Sequence, residues 1–256
     1  MDIAKVKVWG GTHPDEKAAI AVVESLEADP IANVSPAFAN LLGMAQNRRI
    51  TYGGMNLVHA FPGDPNAEEY ERRRAYEILP ECEGFDVNID LHNINSGHGA
   101  NFACVDKNRI ISPRALGFLG LLDVDRLMIT EYDGMQRHAS VPDVFVLETL
   151  AVGLGSDVDR LRNAFDRLAN DPDLPLGDPN DFKQFRYAGS LKVDTVEPSI
   201  VTPEIRPFEV LPDEVAAAMG FPDTQLYLSG WIDEPNKEGY WAEVCERVPN
   251  DQGLRF

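Results

Sequence analysis

A strand, a glycine turn and a helix follow one another at the start of the chain, and this unit constrains the fold more than any other stretch. Val6-Lys7-Val8-Trp9 is a short apolar run of strand type, and Gly10-Gly11 turns it. From Lys17 to Leu26, Ile20, Val23 and the alanines recur with a helical period. The junction holds Thr12-His13-Pro14-Asp15-Glu16. A histidine and a glutamate three apart at such a junction can point at one spot, and an imidazole nitrogen with a carboxylate suits zinc. The same residues also make an ordinary helix start, with Pro14 at the first helical position and Asp15 and Glu16 against the dipole. This stretch alone leaves both readings standing.

The rest of the chain extends the alternation. Ala32 to Phe38 reads as a second strand running on to Gly43, and 46–57 as a polar connection carrying Arg48 and Arg49. Ala67 to Leu79 follows as a charged helix stopped by Pro80, its Arg72-Arg73-Arg74 run a solvated face paired with Glu68, Glu69 and Glu71. Phe85 to His92 alternates apolar and polar with period two, as a strand does. A strand buried on both faces is usually apolar throughout, so the polar face here is expected to meet something polar. Ile110-Ile111 is read as a short strand before a turn at Pro113, Arg126 to Glu131 as a strand, Val144 to Leu154 as an apolar helix, and Val158 to Leu168 as an amphipathic helix.

Strands alternating with helices imply an α/β fold, with a mostly parallel or mixed central sheet and helices on both faces. A Pro/Asp-rich stretch at 171–181 marks a connection, after which short runs separated by prolines suggest a small β-rich C-terminal domain. The expected division is an α/β domain at 1–188 and the small domain at 189–256. A length of 256 residues accommodates both.

In parallel sheets, sites gather at the carboxyl ends of the strands. His13 and Glu16 follow the first strand, His92 ends the Phe85 strand, and Glu131 ends the Arg126 strand. His13, Glu16 and His92 would form a two-His, one-Glu zinc site with a fourth position open to water. Glu131 would be the general base towards that water. His98 and His138 are read as loop histidines.

These residues resemble the succinylglutamate desuccinylase/aspartoacylase family, a branch of the zinc carboxypeptidase-like (M14-type) fold. The resemblance rests on Gly11-Thr12-His13-x-x-Glu16, on Asp90-Leu91-His92-Asn93 and on a strand ending in Glu131. Asn40 and Arg49 are similar to the family's asparagine and to the arginine that polarises the scissile carbonyl. Leu57 to Gly63 resembles its Leu-Asn-Arg-x-Phe-Pro-Gly, with Val58-His59 where the family has Asn-Arg. Trp231-Ile232-Asp233-Glu234 followed by Tyr240-Trp241 resembles its terminal stretch, whose first tyrosine reaches into the active site.

The resemblance implies one Zn2+ per chain on His13, Glu16 and His92, with Glu131 and Arg49 catalytic and His59, Asn40 and Tyr240 binding substrate. The implied activity is hydrolysis of an N-acyl amino acid or similar small amide. Histidine lacks the bidentate fork with which arginine grips a carboxylate, so the substrate pocket is altered. A metallocarboxypeptidase acting on short peptides, or a non-catalytic binding module that kept the fold, are the alternative readings.

Charge narrows the partners. The chain has 42 Asp+Glu against 23 Lys+Arg, formally −19, and only seven of the basic residues are lysine. Nucleic acid and anionic membrane are poor partners for such a surface. No apolar run has the length of a membrane span, and the start does not have the pattern of a signal peptide. Cys82, Cys104 and Cys245 form no CxxC and read as reduced core residues. A cytoplasmic protein is expected, compatible with a homo-oligomer. An acidic, lysine-poor surface is similar to that of proteins from salt-loving organisms, where screening relieves self-repulsion. Stability is therefore expected to hold or rise as KCl is added; a melting temperature that falls steadily with KCl would contradict this.

Overall fold

The computed structural model describes residues 4–52, 54–94, 102–106, 111–130, 144–150, 154–192, 208–221, 223–231 and 240–249. Its centre is one nine-stranded mixed sheet in the order β2-β1-β3-β6-β4-β5-β7-β9-β8. The strands are β1 (Val6–Gly10), β2 (Val34–Phe38), β3 (Val87–Ile94), β4 (Phe102–Asp106), β5 (Arg126–Thr130), β6 (Val144–Leu150), β7 (Lys183–Lys192), β8 (Leu226–Trp231) and β9 (Tyr240–Val248). The helices are α1 (Lys17–Ala28), α2 (Leu41–Gln46), α3 (Tyr70–Glu81), α4 (Pro113–Leu121), α5 (Leu154–Asn170) and α6 (Asp213–Ala218). Among the described residues, no helix is long and apolar enough to cross a membrane.

The sheet is half parallel and half reversed. β2, β1, β3 and β6 run parallel to one another. β4 pairs antiparallel with β6, and β5 and β7 continue in the direction of β4. This corrects the expectation that β1, β3 and β5 end on one rim. The registers Phe102↔Glu148 and Ala103↔Leu127 bring Arg126, at the start of β5, level with His92. Thr130, at the end of β5, lies towards the other rim.

One face of the sheet carries the main core. Val6, Val8, Ile89, Leu91, Val105, Leu127 and Ile129 pack with α1 (Val22, Val23, Leu26), α4 (Leu116, Phe118, Leu119) and α5 (Leu161, Phe165, Leu168). On the other face, Trp9 packs with Leu57, Phe61 and Ile78 under α3. Further along that face Phe102, Cys104, Met128, Phe185 and Cys245 make a separate cluster. Helices thus cover both faces. The C-terminal part is β-rich and has its own small cluster of Leu211, Val215, Leu226, Leu228 and Val244. Its strands β9 and β8 add to the sheet edge through β7.

α1 is seated closely on β1. A Cβ at Gly10 would lie 2.7 Å from Val23 Cγ2 and 2.8 Å from the Ala19 carbonyl oxygen, so glycine is required where the helix crosses the strand end. Gly11 follows at φ 68, a left-handed backbone that favours glycine. These two residues set the path from β1 into His13 and Glu16.

Several local readings change. Val144–Leu150 is a strand, not a helix: it pairs with β3 on one side and β4 on the other. The apolar run Val144–Leu147 is too short to separate a central strand from a buried helix by periodicity. Pro113 opens α4 instead of a turn, because proline is pre-organised for the first helical position and the Ser112 side chain accepts from the Ala115 N–H at the cap. Pro80 sits inside the last turn of α3 rather than stopping it. Arg74 is buried rather than solvated, and Leu41–Gln46 is a short helix capped by Asn40. Ile111 is buried and outside any strand.

Candidate metal centre

Three buried side chains meet on the face of the sheet covered by α3. His13 and Glu16 come from the junction of β1 and α1, and His92 comes from β3, the neighbour of β1. His13 Nδ1 lies 2.7 Å from Glu16 Oε1, and His92 Nδ1 lies 3.0 Å from Glu16 Oε2. The two rings stand edge to face with centroids 4.8 Å apart. One ligand atom from each of the three residues falls within 4.8 Å of the others.

The helix start is built so that Glu16 stays available. Glu16 occupies the cap position of α1, yet its side chain makes no capping bond. Asn93 takes over that task from β3: its Oδ1 accepts from the Ala19 N–H at 2.9 Å, while its own N–H donates to Glu16 Oε2 at 3.2 Å. The helix-start reading of Pro14-Asp15-Glu16 is thereby superseded, since the helix begins at Lys17 and Glu16 faces the histidines.

Both imidazoles are held from behind. His92 Nε2 is 3.1 Å from Asp90 Oδ2, and the other oxygen of Asp90 accepts from the Thr12 hydroxyl at 2.8 Å. His13 Nε2 is 3.1 Å from Asn56 Oδ1, which also accepts from the Val58 N–H. These partners are acceptors, so the hydrogen-bond network assigns the protons to both Nε2 atoms. Each Nδ1 faces an oxygen of the Glu16 carboxylate, so positive charge belongs between them: a metal ion held by the two lone pairs, or protons on Nδ1 when no metal is bound. Supporting acceptors of this kind fix tautomer and ring orientation at metal sites. The donor set of two imidazoles and a carboxylate suits zinc.

The electrostatics of the cluster agree with this. Burial works against ionised Glu16, but the His92 charge and hydrogen bonds from both histidines outweigh it and hold its carboxyl well below the usual range. Burial pushes His13 below its ordinary value, only partly offset by its bond to Glu16. Burial also opposes charge on His92, yet Glu16 and Asp90 together raise it well above its ordinary value. Arg49 joins from the segment after α2, with Nη1 3.3 Å from Glu16 Oε1 and 3.2 Å from Asp15 Oδ2.

Residues 2–149 match the model of the succinylglutamate desuccinylase/aspartoacylase catalytic domain. The chain belongs to this family. The family's fold extends over nearly the whole chain. The crystal structure of the succinylglutamate desuccinylase from Chromobacterium violaceum superposes at TM-score 0.69 with 20% identity, covering 96% of this chain and 85% of that one. Murine aminoacylase 3 superposes at TM-score 0.68 with 16% identity, covering 97% and 96%. No curated protein matches the chain in sequence.

Of the family positions expected from the sequence, His13, Glu16, His92 and Arg49 are brought together. Asn40 is fully buried and caps α2, its Oδ1 accepting from the Gly43 N–H at 2.8 Å; no described hydrogen bond links it to the three. His59 is exposed at the end of a short 3-10 turn, Leu57–His59. Tyr240 opens β9 opposite Lys192, and its side chain lies outside the described residues. Glu131, His98 and His138 lie outside them altogether, as do Ile232, Asp233 and Glu234.

Four further residues escaped the sequence reading. Asp90 carried a legible signal, because two residues before His92 in a strand is the same face. Asn93 belongs to the Asp90-Leu91-His92-Asn93 motif and Asn56 precedes Leu57, but nothing in the sequence shows their contacts with Ala19, Glu16 and His13. Glu148 was hidden in the run taken for a helix: its Cα is the register partner of His92 on the adjacent β6, which places position 148 on the face that carries His92.

The shifts give a pH signature for the metal-free protein. His92, raised, contributes stability that is full below its unfolded value of 6.5 and is lost as pH rises through its folded value. Glu16, depressed, contributes stability present above 4.5 and lost as pH falls through its folded value. Proton NMR of metal-free protein should show the His92 ring titrating above 6.5 and the His13 ring below it. The reverse order would contradict the assignment of the positive charge to His92.

Proposed function

We propose that the chain is a zinc-dependent amidohydrolase that deacylates an N-acyl amino acid or a similar small linear amide. Family membership and fold indicate an enzyme of the desuccinylase/aspartoacylase type. The observation that carries the zinc reading is the convergence of His13, Glu16 and His92, all buried, on one point. One zinc ion held there would supply a Lewis acid and an acidified water at the fourth position. Arg49, beside Glu16, offers guanidinium N–H donors to the oxygen on which charge develops when the amide carbon is attacked; losing such a donor typically costs about 10²–10³ in rate.

A base must take the proton from the attacking water and return it to the leaving amine. The sequence motif assigns this to Glu131. The strand register supports Glu148 instead, since it sits beside His92 on the neighbouring strand while β5 leads away from that rim. Val58-His59, where the family has Asn-Arg, supports a substrate not gripped by a bidentate arginine at that point.

Glu148→Gln is expected to keep the metal and lower turnover by about 10²–10⁴, the usual worth of a positioned general base, while Glu131→Gln stays active. Metal content and hydrolysis of a panel of acyl amino acids and dipeptides would be measured on both. Loss of activity in Glu131→Gln alone would return the base to Glu131. A wild type that binds zinc and cleaves dipeptides but no acyl amino acid would favour a carboxypeptidase. Binding of panel compounds without cleavage would favour a non-catalytic module.

A further inference from the structure

Between α2 and the 3-10 turn, the described residues 47–52 and 54–56 have no regular structure, yet they deliver two groups to the metal centre. Arg49 reaches Glu16, and Asn56 reaches His13. An irregular segment keeps two side chains in place only if something rigid holds it. α3 supplies that hold through two buried charged residues one turn apart.

Glu71 is fully buried in the first turn of α3. Its Oε1 accepts from the Thr51 N–H at 3.2 Å and from the Thr51 hydroxyl at 2.7 Å. Its Oε2 is buried, has no hydrogen-bond partner among the described residues and faces Gly54, where an added Cβ would overlap it. Arg74 donates from Nε to the Ala39 carbonyl at 2.8 Å and from Nη2 to the Phe38 carbonyl at 3.2 Å, and pairs with Glu81 at 2.7 Å. One face of one helix therefore grips the chain just before α2 and again between Arg49 and Asn56.

Burying a carboxylate with one oxygen unpaired is costly. An acid in the first turn suits the helix dipole even when exposed, and filling a core is served by an apolar side chain. Neither need accounts for a buried carboxylate whose described hydrogen bonds both go to Thr51.

We propose that Glu71 is a positioning residue of this site: by holding Thr51 it sets the placement of Arg49 and Asn56 against Glu16 and His13. The kinetic part of this rests on the hydrolase reading above; the structural part does not.

The test uses Glu71→Ala, Thr51→Val and the conservative Glu71→Gln, which keeps an acceptor for Thr51. Hydrogen exchange is followed over 47–56 in the metal-free full chain, and kcat and KM are measured with and without Arg49→Ala. Glu71→Ala and Thr51→Val should speed exchange in 47–56 while β1 and β3 stay protected. They should lower kcat by about tenfold to a hundredfold, the scale of a misplaced catalytic group. Adding Arg49→Ala should then cost little more, since both changes remove one contribution, and Glu71→Gln should recover most of the loss. Unchanged exchange in 47–56 would overturn the proposal, as would rate losses that multiply with that of Arg49→Ala. If Glu71→Ala does not fold, the near-isosteric Thr51→Val decides alone. If the wild type cleaves no amide, the hydrolase reading falls, while the exchange result still judges whether Glu71 holds the segment.

Discussion

The carboxylate of Glu16 is the interaction on which the site depends. Each of its oxygens faces the Nδ1 of a different histidine, one from its own turn and one from the adjacent strand. It thereby ties the β1–α1 junction to β3 at the point where the polar face of β3 meets the helix start. Taking a carboxylate and two imidazoles out of water costs several kcal/mol per ion unless the remaining polar atoms are paired. Here they are paired: Asn93 and Arg49 serve Glu16, Asp90 serves His92, and Asn56 serves His13. Thr12 in turn serves Asp90.

The fold places these groups with few degrees of freedom. Gly10 lets α1 sit against β1, and the left-handed Gly11 aims the chain so that His13 and Glu16 emerge on the side of His92. The parallel pairing of β1 with β3 aligns Trp9 with Asp90, so the strand end that leads to His13 lies beside His92. The irregular segment after α2 brings the remaining polar groups, and the buried face of α3 fastens it. The centre is thus supported by a sheet on one side and by a clamped segment on the other.

How much of this was legible depended on whether the signal was local. The strand–glycine–helix unit and the period-two alternation of Asn88, Asp90 and His92 are local patterns, and they carry both the elements and the three side chains that the structure brings together. The direction of β5 is not local. It follows from β4 pairing antiparallel with β6, and β4 was missed because five residues, Phe102–Asp106, are too few to announce a strand. Without β4, Val144–Leu150 lacks one of its two partner strands in the sequence reading, and Glu148 falls within an apparent helix. Arg74 was misread for a related reason: a run of three arginines looks solvated, and only the packing of α3 against Phe38 and Ala39 shows that one of them is buried.

The most direct test of the account is X-ray absorption at the zinc edge, on protein reconstituted with zinc and analysed for metal content. The account predicts about one zinc per chain, in a shell of nitrogen and oxygen ligands at about 2.0–2.2 Å with a two-imidazole signature, lost when His13 and His92 are both replaced by alanine. Sulfur in the first shell, a shell of oxygen alone, or full zinc occupancy in the double variant would contradict it.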